Sequence, residues 1–294
     1  MLLAKRRRLV MFGLEHIEMN QNAIQPRTRE QLRNHYEVER ELATRLRNST
    51  REERSRMFGT VYDELLRRVP DHPRRTRLES EEMHRRNAAS QMKLLREYLC
   101  PGCTLVEVAP GNGWLGFEAA RVAAQVIGVD ISNQLDPKLP VPANYRHIVY
   151  DGYRLEVPDA VADVAFSYQF LEHLHPDDIR PHFQLVHRLL KPGGVYVFDT
   201  PHRYSGPHDI SREFSNTLDC FHFQEWTHRE MRQLLRSQGF RSCHVFRFGR
   251  TQKGAAFNAL VDAIELLLLP VPQALRRRMC GRLFPAVTMV AVRD

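Results

Sequence analysis

The sequence predicts an α/β fold built on a mostly parallel sheet with helices on both faces. Apolar segments with strand character alternate with helical segments between residues 104 and 199. A helix-stop signal, Leu190-Lys-Pro-Gly-Gly, precedes the last of these strands. A glycine-rich turn follows the first strand. This alternation indicates parallel strands, whose ligands bind beyond the carboxyl ends of the sheet.

The glycine-rich turn lies in residues 105–116, Leu-Val-Glu-Val-Ala-Pro-Gly-Asn-Gly-Trp-Leu-Gly. Gly111 and Gly113 predict positive φ angles and a close approach of backbone to ligand. The helix predicted from Gly116 to Ala124 would direct free amide groups at that ligand. On its own the spacing Gly111-x-Gly113-x-x-Gly116 also suits an ordinary tight turn.

The following segments extend the pattern. Asp130 ends the second strand, Gln125-Val-Ile-Gly-Val-Asp, where a carboxylate is well placed to accept both hydroxyls of a ribose. Ala162–Phe166 predicts a buried strand that runs into polar residues, and Ser167 among them is included in the predicted cofactor site. Strands are also predicted over Val195–Asp199 and Val287–Val292.

The order of these segments resembles the class I S-adenosylmethionine-dependent methyltransferases, over residues 80–249 and the last ten. The resemblance implies a Rossmann-like sheet of seven strands, mostly parallel, with S-adenosylmethionine as cofactor. The first acidic position of the family matches Glu107 and its glycines match Gly111 and Gly113. Its ribose-binding acid matches Asp130, and its adenine-contacting acid matches Asp151, which Gly152 follows.

A nicotinamide or flavin dinucleotide is the competing cofactor, because glycine spacing followed by an acid is common to both classes. Three features disfavour it. Glu107 lies inside the first strand, where a dinucleotide fold has an apolar residue. Asp130 follows closely after Gly116, and there is no second glycine-rich turn for another nucleotide. The terminal strand over Val287–Val292 fits the antiparallel last strand of the methyltransferase sheet.

The first hundred residues predict a different architecture. Helices are expected over Arg27–Asn48, Arg51–Val69 and Glu81–Leu99, with Ser49-x-x-Glu52 as a capping box. We therefore expect residues 1–99 to form a helical cap and residues 100–294 to form the cofactor-binding domain. Residues 1–100 hold 22 Lys and Arg against 15 Asp and Glu, nearly all of the net charge of +8. This excess of positive charge could attract an anionic partner, or it could belong to a solvated helical surface with Glu/Arg pairs. The solvated surface is the favoured interpretation, so we do not expect nucleic acid as a partner.

A helical insertion is expected at about residues 250–285, where an apolar helix and Arg276-Arg-Arg separate two strands. Covering the acceptor cavity is the favoured role, and weak contact with a membrane surface is the alternative. The apolar run at residues 264–269 is too short to span a bilayer. The basic cluster Lys5–Arg8 lacks the apolar core and cleavage site of a signal peptide, so we expect a cytoplasmic protein.

Histidines are the candidate catalytic residues, because imidazole accepts protons near neutral pH. His173 follows the fourth strand and His202 the fifth, so both are expected at the acceptor end of the sheet. Five cysteines make no disulfide framework, and Cys100-Pro-Gly-Cys103 has no second pair to complete a metal site. No metal site is predicted.

The sequence therefore predicts a methyltransferase acting on a small-molecule, sugar (glycan) or lipid-linked acceptor, at oxygen. One position departs from the family pattern, since Ala109 stands where a glycine is usual. A methyltransferase-like protein that binds a nucleotide or a partner without chemistry is therefore one alternative. An RNA methyltransferase that uses the basic helices is another. The Ser167-Tyr-Gln-Phe segment does not match the Asn-Pro-Pro-Tyr-like tetrapeptide used on base amines, which disfavours that chemistry.

Overall fold

A computed structural model of the protein describes residues 26–76 and 81–294. The strands in this part of the chain are β1 (Thr104–Val108), β2 (Gln125–Asp130), β3 (Tyr145–Val149), β4 (Ala162–Tyr168), β5 (Leu190–Pro201), β6 (Phe240–Arg247), β7 (Arg250–Gln252) and β8 (Ala286–Arg293). The helices are α1 (Arg29–Arg47), α2 (Arg51–Arg68), α3 (Pro73–Thr76), α4 (Glu81–Leu95), α5 (Trp114–Ala119), α6 (Ile179–Leu189), α7 (His228–Ser237), α8 (Ala255–Leu268) and α9 (Gln273–Leu283).

The strands form one sheet in the order β3-β2-β1-β4-β5-β8-β6-β7. Strands β1 to β5 are parallel, and β8 runs antiparallel between β5 and β6. The predicted antiparallel last strand and the mostly parallel α/β fold are therefore confirmed. The expected count of seven strands was one short, because the chain reverses at Phe248 and Gly249, both at positive φ, and adds the short edge strand β7.

Alternating side chains divide the core between the two faces of the sheet. Val106, Ala165 and Tyr196 pack on one face with α6 and α7. Leu105, Val164 and Val195 pack on the other face with α4 and α5. Parallel strands buried on both faces are typical of such helix-covered sheets. Glu107 has the same parity as Leu105, so its side chain belongs to the α4–α5 face.

The helix after the glycine turn is shorter than the sequence predicted. It spans Trp114–Ala119 and not Gly116 to Ala124. The amide groups of Ala124 and Gln125 donate to the Cys103 carbonyl oxygen, which starts the approach to β2 instead of continuing the helix.

Helices α1 and α2 pack together over an apolar cluster that includes Val38, Leu42, Val61, Leu65 and Phe221. The predicted capping box before α2 was displaced by one residue. Thr50 takes the cap position because its backbone is extended, and its hydroxyl accepts from the Glu53 amide while the Glu53 carboxylate accepts from the Thr50 amide.

The division into a cap of residues 1–99 and a second domain stays a prediction, and residues 1–25, with Lys5–Arg8, lie outside the described residues.

Helices α8 and α9 lie between β7 and β8, at the predicted insertion. The buried side of α8 packs with Val245, Cys280 and Phe284. Across residues 26–76 and 81–294, no helix is both long enough and apolar enough to cross a bilayer.

Candidate active site

The turn after β1 has the backbone geometry that its glycines predicted. Gly111 has φ +53° and Gly113 has φ +82°, and Gly113 is the N-cap residue of α5. A Cβ at Gly113 would lie 2.6 Å from the Leu135 side chain, so both its φ and its surroundings require glycine. Ala109 also has a positive φ, +56°. The turn therefore keeps a left-handed conformation at the position where this chain lacks the glycine of the family.

Asp130 ends β2 beside this turn, and its side chain is only 8% exposed. Burial raises the pKa of Asp130, although the amide groups of Ser132, Ile131 and Gly111 act in the opposite direction by donating to the carboxylate. The Ser132 amide lies 3.2 Å from Oδ1. The carboxylate is thus held in place at the edge of a large cavity, where it can accept further donors.

Glu107 lies inside β1 and is 4% exposed. Burial, reinforced by the charge of Asp130, raises its pKa to about 8. Among the described residues its Oε2 atom has no hydrogen-bond partner. A Cβ at Gly116 would lie 2.6 Å from that oxygen, so glycine there leaves room for the carboxyl group. Glu107 faces a small cavity of about 140 Å³, and there it could bind an ammonium group.

Helix α4 closes this small cavity, a role that sequence reasoning had missed. His84, Asn87 and Gln91 of α4 line it together with Glu107. The His84 ring stacks on Trp114 with centroids 5.5 Å apart, and its Nδ1 lies 3.0 Å from the Asn112 side-chain amide. The small cavity shares lining residues with the large one, so the two are neighbours.

Asp151 and Gly152 follow β3, and they have different surroundings. Asp151 is exposed, and its Oδ1 accepts from the amide groups of Tyr153 at 2.8 Å and Arg154 at 2.6 Å. Its pKa is lowered, because these amides outweigh the slight burial that acts to raise it. Gly152 lines the large cavity at φ +85°, where a Cβ would lie 3.1 Å from the Phe58 ring. Glycine therefore lets α2 approach this loop closely.

The large cavity has a volume of about 1080 Å³. It extends from the glycine turn and Asp130 to the underside of α2. Its lining is rich in aromatic residues, none of which sequence reasoning had selected, because they come from distant segments: Phe58, Tyr62, Tyr153, Tyr168, Phe170, Phe221 and Phe223. A mostly apolar enclosure with a few polar groups is typical of small-molecule sites.

His173 is half-buried and lines this large cavity. Its Nδ1 lies 3.1 Å from the Phe221 carbonyl oxygen. A carbonyl oxygen only accepts hydrogen bonds, so Nδ1 carries the proton and Nε2 keeps its lone pair. Burial, with the nearby charges of His222 and Arg74, lowers the pKa of His173 to about 3. The ring is therefore neutral at physiological pH.

Glu172 and His222 lie behind His173. Glu172 is buried, its Oε2 accepts from the Thr200 hydroxyl at 2.9 Å, and Oε1 has no partner in the described part of the chain. Burial raises the pKa of Glu172 to about 7. Burial alone would lower the pKa of His222, but the hydrogen bond to Glu225 and the charges of Glu172 and Asp209 raise it. The His173 and His222 rings are 4.9 Å apart, so ionisable groups continue inward from the cavity wall.

His202 is placed away from the cavity lining and is fully buried. Its Nε2 lies 2.9 Å from Glu265 Oε1, and its Nδ1 accepts from the Tyr204 amide at 3.1 Å. Glu265 also accepts from the His228 amide at 2.8 Å. Both nitrogens of His202 are thus committed to structural bonds, which disfavours it as a general base.

Ser167 is likewise outside the cavity lining. It is completely buried, and its Oγ lies 2.6 Å from the Tyr196 hydroxyl. Strand alternation turns Ser167 toward the core, while the next residue, Tyr168, lines both cavities.

Several groups of side chains in the described ranges bring metal-ligating atoms within 4.8 Å of one another: Glu172, His173 and His222; His35, Glu39 and His72; His202, His228 and Glu265; Glu39, Asp209 and Cys220. Only the first group borders the cavity, through His173. The absence of a metal site stays a prediction.

Comparison with known proteins agrees with this geometry. A family model described as a methyltransferase domain matches residues 106–198, from β1 into β5. The chain is 32% identical over 144 residues to a probable S-adenosylmethionine-dependent methyltransferase of Mycolicibacterium smegmatis, covering 48% of this chain and 53% of that protein. It is 30% identical over 108 residues to a ubiquinone biosynthesis O-methyltransferase of Ruegeria pomeroyi, covering 35% and 42% respectively. The chain spans about half the length of the curated relatives it matches.

One solved structure has the same fold over most of its length. A chain of the complex between the Haloferax volcanii Trm112 methyltransferase activator and a putative methyltransferase superposes with a TM-score of 0.50 at 18% identity. The match covers 83% of this chain and 99% of that one. Together with the glycine turn, the buried acids and the sheet order, these likenesses show that residues 106–198 belong to a methyltransferase domain of the class I S-adenosylmethionine-dependent type, with S-adenosylmethionine as its cofactor.

Proposed function

We propose that this protein transfers a methyl group to a hydroxyl oxygen of a small-molecule, sugar or lipid-linked acceptor. The observation that carries the proposal is the continuous cavity of about 1080 Å³ that joins the glycine turn and Asp130 to the ring of His173. A relative named for O-methylation in ubiquinone biosynthesis supports oxygen as the methylated atom.

The residues present fit the cofactor. The carboxylate of Asp130 can accept ribose hydroxyls, and no atom lies within 4 Å of where a Cβ would stand on Gly111, so a ligand has room there. The unpartnered Oε2 of Glu107 can bind the ammonium of the methionine end. When bound, the cofactor supplies an electrophilic methyl group whose bond to sulfur breaks as its bond to the acceptor oxygen forms.

His173 is the proposed general base. Its Nε2 lone pair is left free because Nδ1 donates to the Phe221 carbonyl. The acceptor hydroxyl becomes strongly acidic as its oxygen forms the new bond, so even a weakly basic imidazole can remove its proton. Glu172 lies behind the ring, and its carboxylate, when ionised, favours the imidazolium that results, whereas the charge of His222 opposes it.

The cavity lining also indicates the character of the acceptor. Rings of Phe58, Tyr62 and Phe170 favour an aromatic or otherwise apolar body. Arg51 and Arg74 line the same space, and within the described ranges neither forms an ion pair with a carboxylate. The acceptor therefore fits best when it carries a negatively charged group beside an apolar body.

Neither alternative function has a specific observation in its favour. Many arginines of the first hundred residues form ion pairs with acidic side chains, as in Arg45 with Glu64 and Arg68 with Glu41. These pairs reduce the positive potential that would attract the phosphates of RNA. Ala109 keeps the glycine-like φ of +56°, so its methyl group has not remodelled the turn. This observation supports a functional cofactor site and disfavours a methyltransferase-like protein without catalytic activity.

Calorimetric titration with S-adenosylhomocysteine tests the cofactor site. Asp130→Ala should weaken binding by about 1.5–3 kcal/mol, the range for hydrogen bonds to a charged group, while Asp159→Ala on the exposed surface should not. Equal affinity in the wild type and Asp130→Ala would contradict the assigned role. Binding of NAD, with no binding of S-adenosylhomocysteine, would contradict the assignment of S-adenosylmethionine as the cofactor.

Methylation assays test the base. With tritiated-methyl cofactor and a panel of phenolic, glycosidic and polyprenyl hydroxyl compounds, His173→Ala should lower kcat by about 10²–10⁴-fold at unchanged S-adenosylhomocysteine affinity. His244→Ala, a half-buried histidine on β6, is the matched control. Normal turnover in His173→Ala would exclude His173 as the general base. Tight cofactor binding without transfer to any compound in the panel would favour the non-catalytic alternative.

A further inference from the structure

The outward side of helix α8 carries only apolar side chains. Its exposed positions are Ala255, Ala256, Ala259, Leu260, Ala263, Leu266 and Leu267. Leu267 is 74% exposed, which is unusual for a leucine on a regular helix. The inward side, with Val261 and Leu268, is buried. An apolar side of a helix is normally covered, and no residue in the described ranges covers the outward side of α8.

Helix α9 and the β6–β7 turn carry further exposed apolar side chains, and α9 adds positive charge. Leu275, Met279 and Leu283 are exposed on α9, four residues apart, beside Arg278 and Arg282. We call these five residues, together with Phe248, Leu260, Leu266 and Leu267, the α8–α9 surface. Apolar side chains and arginines thus occupy adjoining positions on the same helix.

Several arginines of this region are not paired with acidic side chains of the described residues. Residues 266–293 contain five arginines and no Asp or Glu. Asp262 of α8 is bound by Arg232, and Glu265 is buried against His202. Within residues 26–76 and 81–294, Arg278 and Arg282 form no ion pair with a carboxylate, and the same holds for Arg250. The α8–α9 surface therefore combines exposed apolar area with uncompensated positive charge.

The two helices are held firmly to the carboxyl end of β5. The Arg276 guanidinium lies 4.6 Å from the Tyr204 ring centroid, and Cys280 Sγ lies 3.2 Å from His202 Nδ1. The Gln273 side-chain amide donates to the Asn216 carbonyl at 3.1 Å. The surface is thus a fixed part of the molecule on the side where the active-site loops emerge.

We propose that the α8–α9 surface docks the protein on a bilayer that contains anionic phospholipid. The leucines would enter the boundary between headgroups and acyl chains while Arg278 and Arg282 contact phosphate groups, the combination that favours interfacial helices. Charge argues against a second copy of the chain as the occupant, because two such surfaces face to face would oppose like charges. Binding to the bilayer does not depend on the proposed methyl transfer.

Vesicle flotation with the full chain tests this proposal. Wild-type protein should float with phosphatidylcholine vesicles that contain about 30% phosphatidylglycerol, bind pure phosphatidylcholine far less, and lose affinity as salt is raised. Leu267→Glu and Arg278→Glu should each lower the vesicle partition coefficient at least about tenfold. The first puts a carboxylate where a leucine would enter the lipid, and the second reverses a charge at the lipid surface. Val141→Glu and Arg146→Glu, exposed residues beside or on β3 at the opposite edge of the sheet, should bind like the wild type.

Sedimentation velocity without vesicles and thermal unfolding complete the test. All four variants change exposed side chains, so their Tm values should match the wild type. Absence of binding to the anionic vesicles would overturn the proposal. So would full binding by both α8–α9 variants, which would assign the contact to another segment such as Lys5–Arg8. Self-association that Leu267→Glu abolishes would instead make a second copy the occupant.

Discussion

The buried ion pair between Arg54 and Asp178 is expected to hold α2 against the start of α6. Arg54 Nε lies 2.9 Å from Asp178 Oδ2, and Nη2 lies 3.0 Å from Oδ1, so the pair is bidentate. The two side chains are 3% and 9% exposed. Arg54→Met keeps most of the apolar stem of the side chain but leaves the carboxylate of Asp178 buried without its cation.

The magnitude follows from this geometry. Removing one partner of a buried ion pair costs about 3–5 kcal/mol. Tyr153 still donates to Asp178 Oδ2 at 3.0 Å, which moves the expected loss to the lower end of that range. The Ser49 carbonyl also loses its hydrogen bond from Arg54 Nη1. We therefore expect Arg54→Met to lower the free energy of unfolding by about 3 kcal/mol.

Urea unfolding followed by circular dichroism measures this change. The double variant Arg54→Met, Asp178→Asn removes both charges and should recover much of the loss, giving a coupling energy of at least about 2 kcal/mol. Arg56→Met, an exposed arginine on the same helix, should change stability by less than about 0.5 kcal/mol. A loss below about 1 kcal/mol in Arg54→Met, or strictly additive single variants, would refute the reasoning.

Two further outcomes are expected. Ala109→Gly should raise Tm, because an alanine in the left-handed conformation costs about 1–2 kcal/mol. The greater conformational freedom of glycine in the unfolded chain offsets only part of this gain. The control variant Ala120→Gly, at a residue with φ −62°, should lower Tm. Glu107 holds its proton more strongly in the folded state, with a pKa of about 8 against an ordinary 4.5, so its contribution to stability falls as pH rises through that window. Between pH 7 and 8.5 Glu107 should account for a fall of about 1 kcal/mol in the free energy of unfolding, and Glu107→Gln should remove that part of the decrease in urea titrations at each pH. An unchanged Tm in Ala109→Gly, or equal slopes with pH in the wild type and Glu107→Gln, would contradict these expectations.

The features predicted from sequence are those set by neighbouring residues. Gly111 and Gly113 predicted positive φ because only glycine adopts that conformation freely, and Asp130 was placed at a strand end by the apolar run before it. The residues left unselected, such as Phe58, Tyr153 and Phe221, lie in three separate segments. Their convergence on one cavity comes from the docking of α2 against the loop after β3, which no local pattern encodes.

The sequence by itself determined the strand and helix order, the cofactor turn and the family, since periodicity, glycine spacing and acid positions act within a few residues of chain. Only the tertiary structure decided which histidine meets the cavity. His173 and His202 both follow strands, yet packing buries His202 against Glu265, while the hydrogen bond that His173 forms within the described ranges uses Nδ1 and not Nε2. The same holds for α8, whose apolar sequence suits a core helix. Its outward leucines lie in solvent because the sheet and α9 cover only one side of it, and surface coverage is a property of the assembled fold.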